Sequence, residues 1–199
     1  ISSYGTVREL KMLERIDMQK TKYLIIQYSD NDVWENKVYS GKNNSLPIAE
    51  QQEYRKVVAE HARDTRGYRF GLYMYELQKE VVNNLIHTLR RPFMPKEDQT
   101  AASDEEAALF VNALKNAHAN LKGIKIIVME INGRAFNDTL FTDSLKRQRE
   151  KPGQPECIKT MTIIDSSKFL TKDHYFFWDD HLKPEGHKAV ADVLTGVIN

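Results

Sequence analysis

Ser29-Asp30-Asn31-Asp32 directly follows the apolar run Tyr23–Tyr28, and Asp179-Asp180-His181 stands just ahead of Pro184-Glu185-Gly186-His187, where the last helical pattern opens. An imidazole is the usual general base for a hydroxyl nucleophile at neutral pH, and it needs a partner that fixes its tautomer. Asp179, two residues before His181, serves if the loop folds its carboxylate back onto the ring. Asp180 is the adjacent alternative, and spacing leaves both open. An Asn amide at a strand end can donate to the negative oxygen of a tetrahedral intermediate, a donor that contributes about 3–4 kcal/mol in a dry site. These are parts of a hydrolase site, a base with its orienting acid and an oxyanion donor. No nucleophile stands beside them.

Each of these residues also has a plainer reading. Asn-Asp after a strand is a common turn signal, and Asp-Asp-His before Pro and Gly also suits a solvated loop. His187 falls near the stripe of Val190 and Leu194 and reads as a packed side chain. Asp165-Ser166-Ser167 follows a strand, but that strand closes the pattern and no Gly precedes it. Ser29 lies within the turn that presents Asn31. His61, His87, His118 and His174 show no metal-ligand spacing, and His174 with His181 lacks a third ligand, so no metal site is expected. Cys157, near Pro152 and Pro155, reads as a bystander thiol, and a single cysteine excludes an internal disulfide.

The positioning elements can be read from periodicity. The chain has 199 residues, 41% hydrophobic and 29% charged, in the range of an ordinary globular domain with a sizeable core. Its 29 basic and 28 acidic residues are interspersed, leaving no basic stripe for nucleic acid. The longest apolar runs, 23–28 and 124–131, are too short to span a membrane. Leu10, Leu13 and Ile16 predict a helix over 7–18, followed by a strand at 23–28. A long polar stretch, 33–70, reads as an insertion or lid containing a charged helical segment at 48–61. Met74, Leu77, Val81 and Leu85, with Ile86 and Leu89, mark a helix that Pro92 and Pro95 stop. Ser103-Asp104-Glu105-Glu106 has capping-box form and predicts a helix start there. Beyond it come the helix carrying Phe110, Leu114, Ala117 and Leu121, a strand at 124–131 apolar enough to be covered on both faces, a helix at 140–149 and a strand at 160–164. Pro184 then leads into a helix with Val190, Val193, Leu194 and Val197 inward.

Such alternation predicts parallel strands covered by helices, an α/β layered fold of one domain over 1–199. Ligands in open α/β sheets bind beyond the carboxyl ends of the strands. Asn31 follows the first visible strand, and Asp179 and His181 follow the third. Element order therefore groups them at one edge.

With those residues in place, the sequence resembles the SGNH (GDSL-type) hydrolases, esterases and acyl-transfer enzymes. Ile1-Ser2-Ser3-Tyr4-Gly5-Thr6 with the helix after it is similar to the family's second block. Tyr28-Ser29-Asp30-Asn31-Asp32 is similar to the third, Asp179-Asp180-His181 to the fifth, and Pro184–Ala191 to the helix after it. The order runs the length of the chain, while 33–158 adds only a compatible helix–strand pattern. The resemblance implies a flavodoxin-like three-layer α/β/α fold with a mainly parallel sheet, whose N-terminal strands are missing from this chain. It implies His181 as base and Asp179 as its orienting acid, in the shorter Asp-x-His spacing, since the commoner Asp-x-x-His would put Trp178 in the acid's place. It implies Asn31 and the backbone N–H of Ser3 as oxyanion donors, Ser3 standing where the family usually has Gly, with Gly5 and Asp180 in support.

The family's nucleophilic Ser would then lie upstream of Ile1, in a missing N-terminal segment or a separate chain. The lack of an initiator Met and the character of Ile1–Thr6 also read as the interior of a protein. The implied activity is a serine-type ester hydrolase or O-acyltransferase acting on O-acyl groups of a carbohydrate, or on a small or lipid ester, with no cofactor. The compartment is not fixed by the sequence, with a lean to bacterial periplasmic or secreted. The alternative is a non-catalytic α/β binding module on the same scaffold. A phosphate- or nucleotide-binding domain ranks below both, because no Gly-rich phosphate loop follows any strand.

Overall fold

A nearly unbroken apolar strand needs cover on both faces, and β2, Lys125–Glu130, has it: every residue after Lys125 is buried. In the computed structural model, which describes residues 5–29, 32–46, 51–65, 71, 74–75, 77–79, 81–82, 85–86, 96–131, 139–176 and 181–199, β2 is the middle of a three-stranded parallel sheet. β1, Tyr23–Tyr28, pairs with it from Tyr23↔Lys125 to Tyr28↔Glu130, and β3, Thr162–Ile164, pairs on its other side. The mixed α/β fold with a small parallel sheet flanked by helices is as expected.

Side chains alternate between the two faces. Ile26, Tyr28, Ile126 and Val128 point into one core, with Val7 and Leu10 of α1 (Thr6–Leu13) and Tyr39 of α2 (Asp32–Gly41). That core also holds Phe110 and Leu114 of α4 (Lys96–Lys115), Phe141 and Leu145 of α5 (Leu140–Glu150) and Ile158 of α6 (Glu156–Lys159). Ile127, Met129, Ile131 and Ile164 point into the other, with Leu170, Tyr175, Leu182 and the half-buried side of α7, Pro184–Ile198. Tyr28 ties the first core together. Its ring stacks on Phe141 at 4.2 Å, meets Phe110 edge-on, and its hydroxyl donates to Glu106 Oε1 at 3.0 Å.

The outer edge of β1 has no partner strand among the described residues. Lys125 N–H donates to Lys22 O and Ile131 N–H to Tyr28 O. In a parallel ladder the N–H and C=O of one residue point the same way and alternate along the strand. Leu24, Ile26 and Tyr28 therefore bond toward β2, while Tyr23, Ile25 and Gln27 turn away from it, and among the described residues no strand pairs on that side. Ile25 is 42% exposed.

The structure departs from the expected elements in several places. α1 ends at Leu13 rather than 18, because Glu14, Arg15 and Ile16 donate to carbonyls three residues back, a tightened last turn that leaves Ile16 exposed. α4 starts at Lys96, so Ser103–Glu106 is helix interior and not a start. The Glu106 carboxylate takes the Tyr28 hydroxyl, and Asp104 takes Arg147 of α5 at 2.8 Å. Val197 is exposed and Ile198 packs instead.

The stretch expected to form an insertion over 33–70 divides. Residues 33–46 belong with the sheet as α2 and its exit, whereas 47–94 form a second compact unit. That unit contains α3, Gln51–Thr65, and helical residues among 74–86. Tyr54, Val58, Met74, Leu77, Val81, Leu85 and Ile86 are exposed there, and Leu89 lies outside the described residues.

Candidate functional site

The turn leaving β1 is fastened to the start of α1 by carboxylates from α2. Asp32 N–H donates to Ser29 O at 3.0 Å, and Asp32 Oδ2 accepts from the Thr6 hydroxyl at 3.1 Å and the Ser29 N–H at 3.4 Å. Both side chains are out of water, Asp32 6% and Thr6 1% exposed. Burial pushes the Asp32 carboxyl up from its ordinary 3.8 to about 6. The bonds from Ser29 and Thr6 oppose the shift, and the nearby Glu9 and Glu35 charges add to it. Burial, with the Glu35 charge second, raises Glu9 as well.

One turn along α2, Glu35 does a second job. Its Oε1 accepts the Arg8 backbone N–H at 3.0 Å, one of the amides that a helix start leaves without an intrahelical partner, and its Oε2 lies 3.3 Å from the Arg8 guanidinium. Gly5, the residue before α1, makes no side-chain cap of its own. A Cβ there would stand 3.0 Å from Glu35 Cδ and 3.1 Å from Oε1. Gly5 is therefore needed for the approach of Glu35, and its φ of −88° asks nothing special of it. Asn36, on the same side of α2, is fully buried, and its amide atoms have no hydrogen-bond partner among the described residues.

The loop that ends in His181 is closed at its neck. Tyr175 and Leu182 form an antiparallel bridge, Phe176 N–H donates to His181 O at 3.0 Å, and Lys183 N–H donates to His174 O at 2.8 Å. His174 Nδ1 accepts the Thr171 N–H at 2.9 Å, fixing the turn before the neck. The His181 side chain is exposed.

Helix α7 sets which edge this neck faces. Its last residue, Ile198, accepts the Tyr23 hydroxyl at 3.1 Å, at the amino end of β1. A fifteen-residue helix is about as long as a six-residue strand, near 20 Å. Helix α7 thus runs back against the strands, and its first turn, just after His181, lies toward their carboxyl edge. Ser29 and Asp32 leave β1 at that edge too.

Gly186, in the first turn of α7, is where the neck and the helix touch. A Cβ there would stand 2.7 Å from His174 O and 2.9 Å from Leu182 Cδ2. Gly186→Ala is expected to lower stability by about 1–2 kcal/mol, because the overlap with backbone outweighs the roughly 1 kcal/mol that alanine gains in a helix. Thermal unfolding of the two proteins checks this, and a rise in midpoint would contradict it.

Of the residues expected at the site, Gly5 and His181 are described, whereas Ser3, Asn31, Asp179 and Asp180 lie outside the described residues. The other candidates are accounted for. His187 is exposed and not packed on the stripe, because Gly186 and Ala189 take the inward positions. The Ser167 hydroxyl and N–H both donate to Asp165, which caps a short 3-10 turn. Thr6 and Glu35 were not singled out from the sequence. The signal was present as Asp32, Glu35, Asn36 and Tyr39, a buried helical stripe written mostly in polar residues.

Cavities among the described residues open elsewhere. One of about 220 Å3 lies among Val7, Leu10, Lys11, Tyr39 and Asn116, and one of about 760 Å3 lies beside Thr21, Gly123 and Ile124, at the amino edge. Neither includes His181. Among the described residues no group of His, Cys, Asp and Glu is placed to hold a metal ion, and no helix is long and apolar enough to cross a membrane. No protein-family model, curated protein or solved structure matches this chain.

Proposed function

We propose that this chain is the carboxyl-terminal part of an SGNH-type serine hydrolase or O-acyltransferase domain of flavodoxin-like build. The observation that carries the reading is the direction of α7. It brings the His181 neck to the carboxyl edge, where the Ser29–Asp32 turn leaves β1. In this reading a serine hydroxyl attacks the ester carbonyl while His181, oriented by Asp179, takes its proton. The Asn31 amide and the Ser3 N–H hold the oxyanion. Collapse expels the alcohol, which receives the proton from His181. Water or a sugar hydroxyl then repeats the sequence on the acyl-enzyme. An O-acylated carbohydrate is the first substrate class, and a small or lipid ester the second.

The serine is assigned to polypeptide preceding Ile1, or to a separate chain, and the outer edge of β1, without a partner strand among the described residues, supports that assignment. Crossovers between parallel strands are right-handed. The helices that connect β1 to β2 and β2 to β3 pack on one face, and each crossover steps the sheet the same way. Helix α1 packs on that face as well. A parallel strand feeding α1 then belongs on the other side of β1, beyond the edge that the backbone of Tyr23, Ile25 and Gln27 presents.

A fluorophosphonate probe and p-nitrophenyl acetate test the reading on the intact source protein. The expected result is a covalently labelled serine in a peptide upstream of Ile1, together with ester turnover. Absence of both would leave the scaffold as a binding module. In the same protein the Ile25 and Gln27 amides are expected to be protected from hydrogen exchange by a neighbouring strand, and exchange at open-chain rates would remove the edge argument.

A further inference from the structure

We infer that Asp32 is a positioning residue whose carboxylate, through the Thr6 hydroxyl and the Ser29 amide, holds the turn after β1 and the first turn of α1 at one fixed spacing. The inference rests on the hydrolase reading, since of the two proposed oxyanion donors Asn31 adjoins Asp32 in sequence and Ser3 precedes Thr6 by three residues. Three observations carry it. The Thr6–Asp32 bond joins residues 26 apart in sequence and is buried at both ends, and the Ser29 amide adds a local bond to the same carboxylate. The link is doubled one turn away, where Glu35 takes the Arg8 amide and Gly5 leaves room for it. The carboxylate group also sits among like charges: Glu9 and Glu35 face it from α1 and α2, its own charge reaches the Tyr28 hydroxyl, and the Arg8 guanidinium is engaged with Glu35. A chain selecting only for stability would place an apolar or amide side chain at such a position. An oxyanion hole built from two segments needs their donors at a set distance, and a misplacement near 1 Å at a reacting centre costs on the order of a hundredfold in rate.

The test uses the intact protein turning over p-nitrophenyl acetate. Asp32→Ala and Thr6→Val are each expected to lower kcat by about tenfold to a hundredfold with KM within about twofold, since the donors act on the transition state. The double variant is expected to fall no further than either single one, because both remove the same link. Asp32→Asn keeps an acceptor oxygen for Thr6 and Ser29 and is expected to restore most of kcat. A merely structural role would lower the unfolding midpoint of Asp32→Ala and Thr6→Val and leave kcat below that midpoint unchanged. That result, or additive losses in the double variant, overturns the inference while the hydrolase reading stands. No turnover and no probe labelling in the unsubstituted protein overturns both.

Discussion

His181→Ala is expected to reduce ester turnover by the intact protein about a thousandfold to ten-thousandfold, with KM little changed. An alanine cannot take the serine proton in the first half of the reaction or return it to the leaving alcohol, so both halves lose their general acid–base. What remains is the acceleration supplied by binding and by oxyanion donors. The loss falls on kcat because the imidazole acts on the transition state and contributes little to holding a bound ester. The fold should tolerate the change. His181 holds the neck through its backbone carbonyl, which accepts from Phe176 and survives substitution, and its side chain is exposed. A stability change within about 0.5 kcal/mol is expected. Steady-state kinetics with an unfolding curve on the same preparation separate the two effects. Turnover within tenfold of the unsubstituted protein would place the base elsewhere.

The reasons some of this fold could be read from sequence, and some not, lie in particular residues. β2 was legible because a strand covered on both faces must be apolar throughout, and a run such as Lys125–Glu130 with Ile124 and Ile131 beside it has few other uses. α7 was legible because Pro184 suits the first turn and Val190, Val193 and Leu194 keep helical spacing. The start of α4 was not, because Ser103 and Glu106 satisfy the local rule for a helix start while Glu106 is used at long range by Tyr28. α2 was passed over for a related reason. Its buried face carries Asp32, Glu35 and Asn36, and hydropathy counts such residues as surface.

The candidate site divides along the same line. A base, its acid and an oxyanion amide announce themselves by residue type beside a strand end or a turn. The residues that fasten the backbone around them do not. Thr6 and Glu35 are ordinary helix residues until tertiary contacts bury them, and Gly5 reads as a flexible turn although it acts by leaving room for a carboxylate. Motif reading therefore finds the groups that would touch a substrate more readily than the groups that hold them still.

Asp32→Asn is expected to raise stability at pH 8 by about 2–3 kcal/mol and to change it by less than about 1 kcal/mol at pH 4. The Asp32 carboxyl is pushed up to about 6 in the folded protein from an ordinary 3.8, chiefly by burial. The folded state therefore holds the proton more tightly than the unfolded state. Between pH 4 and 6 the folded chain binds more protons, so stability falls as pH rises through that window and levels off above it. Each pH unit of separation corresponds to about 1.4 kcal/mol, which gives the size of the effect. Well below pH 4 the carboxyl is protonated in both states, and the asparagine differs from it little in shape or charge. The sign is opposite to that of a carboxylate held by a cation, whose replacement weakens the fold at neutral pH. Here the Arg8 guanidinium pairs with Glu35, and the two bonds Asp32 accepts offset only part of its desolvation. Urea unfolding of both proteins at pH 4 and pH 8 measures the difference directly. Equal stabilities at pH 8 would mean that Asp32 is better solvated, or better paired, than its 6% exposure and its two bonds indicate. Greater stability of Asp32→Asn at pH 8, with kcat retained, would show that the carboxylate's oxygen is what the fold uses and that its charge is carried at a net loss of stability.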